Sequence, residues 1–539
     1  MKKLTLIPLL LIFLSCMAQA QPFLESSGPE MINGRNRYIY TATFEVTPRV
    51  PEEPALRYKL TWGSDQRTAM NAAVKYNFAA KELTQYQVSV LVQLGRKQQE
   101  DFDKVLTDPD FLAEKQAERD AFENEIAALP EDSPGAAERC RFEATAQYQS
   151  VGYSHYCSAP REKFPMDKAK EFVRGFQNAY RHLEAGSRCD YCDWEHPIRG
   201  NENPIAILLP EVQEARDLAR ALQVKARVEI YEGDYESAIK TIRVGKQLAK
   251  HTAEEPIIVS VLVGIAIDGM MDAVLAELIR QPDAPNLYWT LTALPQKNAM
   301  VSAMEWEMDM LRALLPGLAK AMETPDELSD ADWKDLHHRA IKTSSEIAYY
   351  EGPPSPFNES LQRLSGLIAY PQAKQWLIDS GKTPEEVEAM STAKVLGLWS
   401  VHRYQVVRDG MLKIISLPHE QRMKCMGDWE SKMRQDYQGS VLPIDVLVNT
   451  LFPAVGAAFS AETRSSMTAD VLRIVEAIRL YAAQNNGKLP EKLDDIVAVP
   501  IPPLDPFSGK PYDYKIKDGA AVIEVDLGWG VQRFVVKMK

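Results

Sequence analysis

The stretch YEGDYESAI, Tyr231 to Ile239, decides how the body of this chain is read. Ahead of it, Ala215, Leu218, Ala219, Leu222, Ala226 and Ile230 fall on one face of a helix that ends near Tyr231. Gly233 suits the left-handed position after a helix, and Asp234 suits the cap of the next one. On that second helix Ala238, Ile242, Gly245 and Ala249 carry the stripe on, while Lys246, Lys250 and His251 sit near its negative end. The small residues let the two helices approach closely. A single hairpin of this kind cannot bury its own face, so neighbours must complete the stack, and the sequence offers them at Pro256–Arg280 and Gln296–Glu323.

The Gly-Asp-Tyr-x-x-Ala turn, with Ala226 before it and Ile242 and Gly245 after it, resembles a tetratricopeptide helix hairpin. The likeness covers Val212 to His251 and departs from the repeat at Lys225 and Glu229, where large apolar residues are usual. No second clean copy follows at that repeat's period of about 34 residues, so the resemblance implies an irregular stack. A wider segment, from CDWEHP (Cys192–Pro197) through GDYESAI to QPDAPNLYWTLTALP (Gln281–Pro295), resembles a family of bacterial secreted proteins with no known activity. That likeness bears on fold and leaves function open.

The 539-residue chain is long enough for two or more domains. It opens with Lys2 and Lys3, an apolar run Leu4–Leu14 and the small-residue site Ala18-Gln19-Ala20, which reads as a secretory signal peptide over 1–20. Cleavage that leaves a lipidated Cys16 is the alternative. A leader over 21–66 holds one short strand, Tyr38–Val46, without an obvious partner. From 67 to 460 apolar residues recur at helical spacing, including a highly charged helix at Ala113–Leu129. The charge-free stretches Pro256–Ile267 and Val446–Ala461 are shorter than the roughly 20 residues a bilayer needs, so no transmembrane helix is expected after signal cleavage.

The last unit, 461–539, sets a helix carrying Val471, Ile474, Val475, Ile478 and Tyr481 ahead of segments that alternate and turn like a small antiparallel sheet. Its Gly487-Lys488-Leu489-Pro490 step, Asp505-Pro506-Phe507 and Gly509-Lys510-Pro511-Tyr512-Asp513-Tyr514 resemble the globular part of type II secretion pseudopilins. The resemblance implies a small α+β module. It carries over neither filament formation nor the calcium-binding aspartates of the major pseudopilins. The fold class is therefore mostly α: an irregular helical-repeat, tetratricopeptide-like body finished by a small C-terminal α+β domain.

Lys and Arg number 62 against 75 Asp and Glu, a net charge of −13. Loss of Lys2 and Lys3 leaves 60 against 75, or −15, an excess that repels phosphate and argues against nucleic acid as a partner. Four of the six cysteines lie between Cys140 and Cys192. In an oxidising compartment they read as disulfides, such as Cys140 with Cys157 and Cys189 with Cys192; the spacing of His182, Cys189, Cys192 and His196 also suits tetrahedral zinc. A thiol oxidoreductase would need a βαβ context that the flanks lack. Cys425 is left over.

No His-Glu-x-x-His, Gly-x-Ser-x-Gly or Gly-rich phosphate loop is present; Glu305, Glu307 and Asp309 in EWEMDM invite carboxylate catalysis, but Glu305 and Asp309 share a helix face as a solvated pair does. No cofactor is called for. The sequence leads to a periplasmic or secreted interaction or scaffold protein with a protein or peptide partner. The alternatives are an envelope-polymer hydrolase whose carboxylates meet only in three dimensions and a zinc-binding module.

Overall fold

The computed structural model describes residues 24–32, 35–107, 156–157, 159–196, 209–295, 299–348, 356–417, 419–437, 442–451, 453–528 and 530–539. The signal-like start with Cys16, the charged stretch Ala113–Leu129 and Cys140 lie outside them. In chain order the chain forms strands β1 (Glu25–Ile32), β2 (Arg35–Val46) and β3 (Thr68–Asn71), then helices α1 (Ala73–Thr107) and α2 (Met166–Ser187). Strand β4 (Cys189–Tyr191) precedes α3 (Pro210–Tyr231), α4 (Tyr235–Thr252), α5 (Ile258–Ile279) and α6 (Tyr288–Thr292). A second run follows: α7 (Ala299–Leu314), α8 (Leu318–Glu323), α9 (Asp330–Ala348), α10 (Pro356–Asp379), α11 (Pro384–Glu388), α12 (Thr392–Ile415), α13 (His419–Tyr437) and α14 (Pro443–Leu451). The chain closes with α15 (Pro453–Gln484), β5 (Asp513–Lys517), β6 (Ala520–Asp526) and β7 (Gly530–Met538). The protein is mostly helical with a small sheet region.

The deciding hairpin forms as its residues dictate. Gly233 takes φ +79°, and the Asp234 carboxylate accepts the Ser237 N–H at the start of α4. The stripes of α3 and α4 are buried, and the two departures from the repeat pattern explain each other: Lys225 pairs with Glu229, which also accepts the Thr241 hydroxyl from α4. A polar clip stands where an apolar contact is usual.

Neighbours complete the stack on both sides. Helix α2 packs on α1 and α3, and α5 packs on α4 and α15. Close approach of α4 and α5 depends on Gly264, where a Cβ would lie 2.6 Å from the Ala249 carbonyl oxygen. Helix α5 is apolar on all sides, and among the described residues it is the one helix long and apolar enough to cross a membrane; 83 % of its apolar window is inside the protein. Its Asp268 and Asp272 hold Lys246 of α4 at 2.8 and 2.5 Å, and Ser465 of α15 donates to Asp268.

The five strands of the larger sheet run in the order β1-β2-β7-β6-β5. The expected strand at Tyr38–Val46 thus gains a partner from the opposite end of the chain: β2 lies parallel to β7, Tyr38 opposite Gly530 through to Val46 opposite Met538. The β5–β6–β7 part is antiparallel, as alternation suggested. Ala42, Phe44 and Val46 of β2 join Val471, Ile474, Val475 and Ile478 of α15 in one buried cluster with α3, α4 and α5. Helix α15 begins at Pro453, so it runs without a break through position 461, where the last unit was expected to start.

One charged pair pins these parts together. Arg479 and Glu476 on α15 are both fully buried and 2.9 Å apart. The Arg479 guanidinium also donates to the carbonyl oxygens of Thr47, just past β2, and of Ala284 and Pro285, in the loop between α5 and α6. Its own carbonyl accepts the Arg49 N–H, and Asn286 ties Arg49 to Glu476 through their carbonyls. Removing one member of a buried pair strands the other charge. Arg479→Met is expected to cost about 3–5 kcal/mol in urea unfolding, and adding Glu476→Leu to recover part of it. A single-variant cost below about 1 kcal/mol, the range of an exposed pair, would contradict this role.

Candidate functional site

The densest gathering of chemically capable side chains lies where β4 runs into the segment Cys192–His196, against the ends of α3 and α4. Strand β4 is set by parallel pairing with β3, Thr68 opposite Cys189 and Asn71 opposite Tyr191. The Asn71 side chain then grips the main chain of Asp193 twice, donating to its carbonyl at 2.7 Å and accepting its N–H at 2.9 Å. The same amide oxygen accepts the Ala73 N–H at the head of α1. Cys192 N–H donates to Glu254 at 2.8 Å.

His196 ends this strap between two carboxylates. Its Nδ1 is 2.8 Å from Glu255, just beyond α4, and its Nε2 is 3.0 Å from Glu211, in the first turn of α3. An imidazole with both nitrogens facing carboxylates donates from both only when protonated. Burial works against that charge, but the two carboxylates prevail and hold the His196 pKa above 6.5. Burial raises the Glu255 carboxyl against the pull of His196, and raises Glu254 against its bond to the Cys192 N–H.

Beneath the strap lies a second, fully enclosed histidine. His251 is wholly buried at the end of α4, its Nδ1 2.7 Å from the Tyr76 hydroxyl and its Nε2 2.8 Å from the Gln247 amide nitrogen. With that amide donating to Nε2, the neutral ring carries its proton on Nδ1, toward Tyr76. Burial drives the His251 pKa down to about 3, helped by the nearby Lys250 charge. The Trp194 ring lies 6.1 Å from that of Tyr76, and its indole N–H is buried without an acceptor.

Two of the cysteines, at the start of β4 and just beyond its end, stand as separate groups. Cys189 and Cys192 are 3 % and 7 % exposed and carry no bond to one another. Burial raises both thiols, and the Glu254 and Glu255 carboxylates push Cys192 further in the same direction. Cys157 sits against α3, its thiol donating to the Arg220 carbonyl and raised by burial to about 12. Of the residues at zinc-like spacing, Cys189, Cys192 and His196 belong to this strap, whereas His182 stacks on Phe78 at 5.6 Å. Both His196 nitrogens are taken by carboxylates. Among the described residues no group of three or more His, Cys, Asp or Glu side chains is arranged to hold a metal ion.

Sequence reasoning placed His251 only at a helix end and missed Tyr76, Glu211 and Glu255; the four come from three separate helices and their flanks. The EWEMDM carboxylates also divide. Asp309 pairs with Arg408 and lies near Arg312, as a solvated face would, whereas Glu307 accepts the Ile258 N–H and caps α5, its carboxyl raised by burial to about 7. No protein-family model, curated protein or solved structure matches the chain.

The enclosed His251 has a measurable signature. Its folded-state pKa lies below that of an unfolded histidine, so the unfolded chain takes up the proton first and stability present above pH 6.5 is lost as pH falls toward about 3. The loss assigned to this residue at pH 5 is about 2 kcal/mol. Urea midpoints of wild type and His251→Gln across that window check it: the variant should be less stable at neutral pH and show the smaller acid decline. Parallel declines would remove His251 from the account.

Proposed function

We propose that the chain is an extracytoplasmic protein-interaction scaffold: an irregular helical-repeat body that offers an apolar helix face to a protein or peptide partner, finished by a small pseudopilin-like domain. The observation that carries this reading is on α10. Leu364, Leu367 and Ile368 are 54 %, 64 % and 79 % exposed, at the i, i+3, i+4 spacing of one helix face. No charged residue occurs from Leu364 to Ala373 in a chain that is one quarter charged overall. A cluster of large apolar side chains left in water marks a surface for association. The opposite face of α10 is committed to the fold, since Gly366 lies against Leu396 of α12 and His337 of α9.

The partner this face fits is an amphipathic helix with apolar anchors at the same spacing. The signal-like start supports placing the encounter outside the cytoplasm, and the acidic balance supports a protein rather than a nucleic acid.

A photo-crosslinking residue placed at 367 tests this in the envelope fraction of the cells that make the protein. One discrete adduct is expected, lost on Ile368→Glu while the circular dichroism and unfolding midpoint of the variant stay those of wild type. The same adduct from a probe at exposed Glu385, or its persistence in Ile368→Glu, would refute the α10 surface.

A further inference from the structure

We propose that residues Asp193–His196 form a latched cover over a dithiol site, Cys189 and Cys192, which becomes available for thiol–disulfide exchange when the His196 latch opens. The thiols have the Cys-x-x-Cys spacing suited to closing on one another, yet in the covered state they are buried and held in the unreactive protonated form. The cover is a short strap with few ties: the Asn71 grip on Asp193, the Glu254 bond to Cys192 N–H, and the two carboxylates on His196. It also holds unfavourable local features. Glu195 sits at φ +58°, a left-handed conformation that side chains resist, and the Trp194 indole N–H is buried without an acceptor. Both are relieved if the strap swings out, so the polar ties, together with the packing of Trp194 on Tyr76, hold the closed state.

His196 is the tie that can be released. Facing it are Glu211 from α3 and Glu255 beyond α4; Glu214 lies near Glu211, Asp193 of the strap lies near Glu255, and Glu254 holds the Cys192 N–H with Lys250 close by. From the β3 side Arg67 lies near Glu254. When His196 loses its proton, one ring nitrogen presents a lone pair to a carboxylate, and an attraction becomes a repulsion.

The exchange balances without any group from the structure. A thiolate of the pair attacks an external disulfide and releases one half of it as a thiol; the second thiolate displaces the other half. The Cys189–Cys192 bond forms, the external S–S bond breaks, and two electrons and two protons leave as two small thiols.

The probe is 4,4′-dithiodipyridine, a neutral disulfide, added to the full chain after reduction and removal of reductant, with peptide mapping of each cysteine over time. In His196→Gln the Cys189–Cys192 disulfide should form about tenfold faster than in wild type, the effect of removing a charge-assisted tie from the closed state, while Cys425 on α13 reacts at its wild-type rate. Equal rates in the two proteins, or a matching acceleration at Cys425, overturn the proposal. Wild type alone gives an independent readout: its rate, divided by that of the urea-unfolded chain at each pH, should climb as pH rises through the His196 titration. A flat ratio overturns the latch even if the variant fails to fold.

Discussion

The fold depends on burying one guanidinium where three parts of the chain cross. Arg479 presents its donors to the exit of β2, to the loop between α5 and α6, and to Glu476 on its own helix, all without solvent. A planar, permanently charged fork suits this place, because its directions are fixed and several carbonyls can be satisfied at once. Hydrophobic contact would hold the same segments together without setting their register. With the pair in place, the end of β2, the start of α6 and the middle of α15 have one arrangement, and the sheet and the helical stack share a core.

A second buried pairing works in the same way one layer further in. Lys246, Asp268, Asp272 and Ser465 join α4, α5 and α15 across the most apolar helix of the protein. Two carboxylates on such a helix would be costly alone. Beside an ammonium and a hydroxyl they fix the rotation of α5, which its uniform apolar surface cannot do.

Local chemistry made the hairpin legible in the sequence: Gly233 for a positive φ, Asp234 for a cap, and small residues at the contact are all choices a helix pair makes within forty residues. The mostly helical class and the antiparallel end of the sheet were legible for the same reason, since periodicity reports on nearest neighbours. The β2–β7 pairing was not. Nothing in RYIYTATFEV says that its partner lies almost the length of the chain away. The site follows the same division. Cys189, Cys192 and His196 drew notice through their spacing, but what surrounds them arrives from α1, α3 and α4, and Glu211 and Glu255 had no local mark. Lys225 and Glu229 looked like departures from a repeat because the Thr241 hydroxyl that donates to Glu229 comes from the next helix.

The parallel contact of β2 with β7 has a consequence for assembly. Until β7 arrives, the β1–β2 hairpin presents an open edge of unpaired main-chain groups along Tyr38–Val46, and a two-stranded ribbon is marginal in water. Helix pairs such as α3–α4 can form from neighbouring residues, whereas closing the sheet must gather residues almost the whole chain apart, a step slowed by loop-closure entropy. Joining these two strands therefore carries a high loop-closure cost, and a molecule that has not made this pairing still shows an open strand edge on β2.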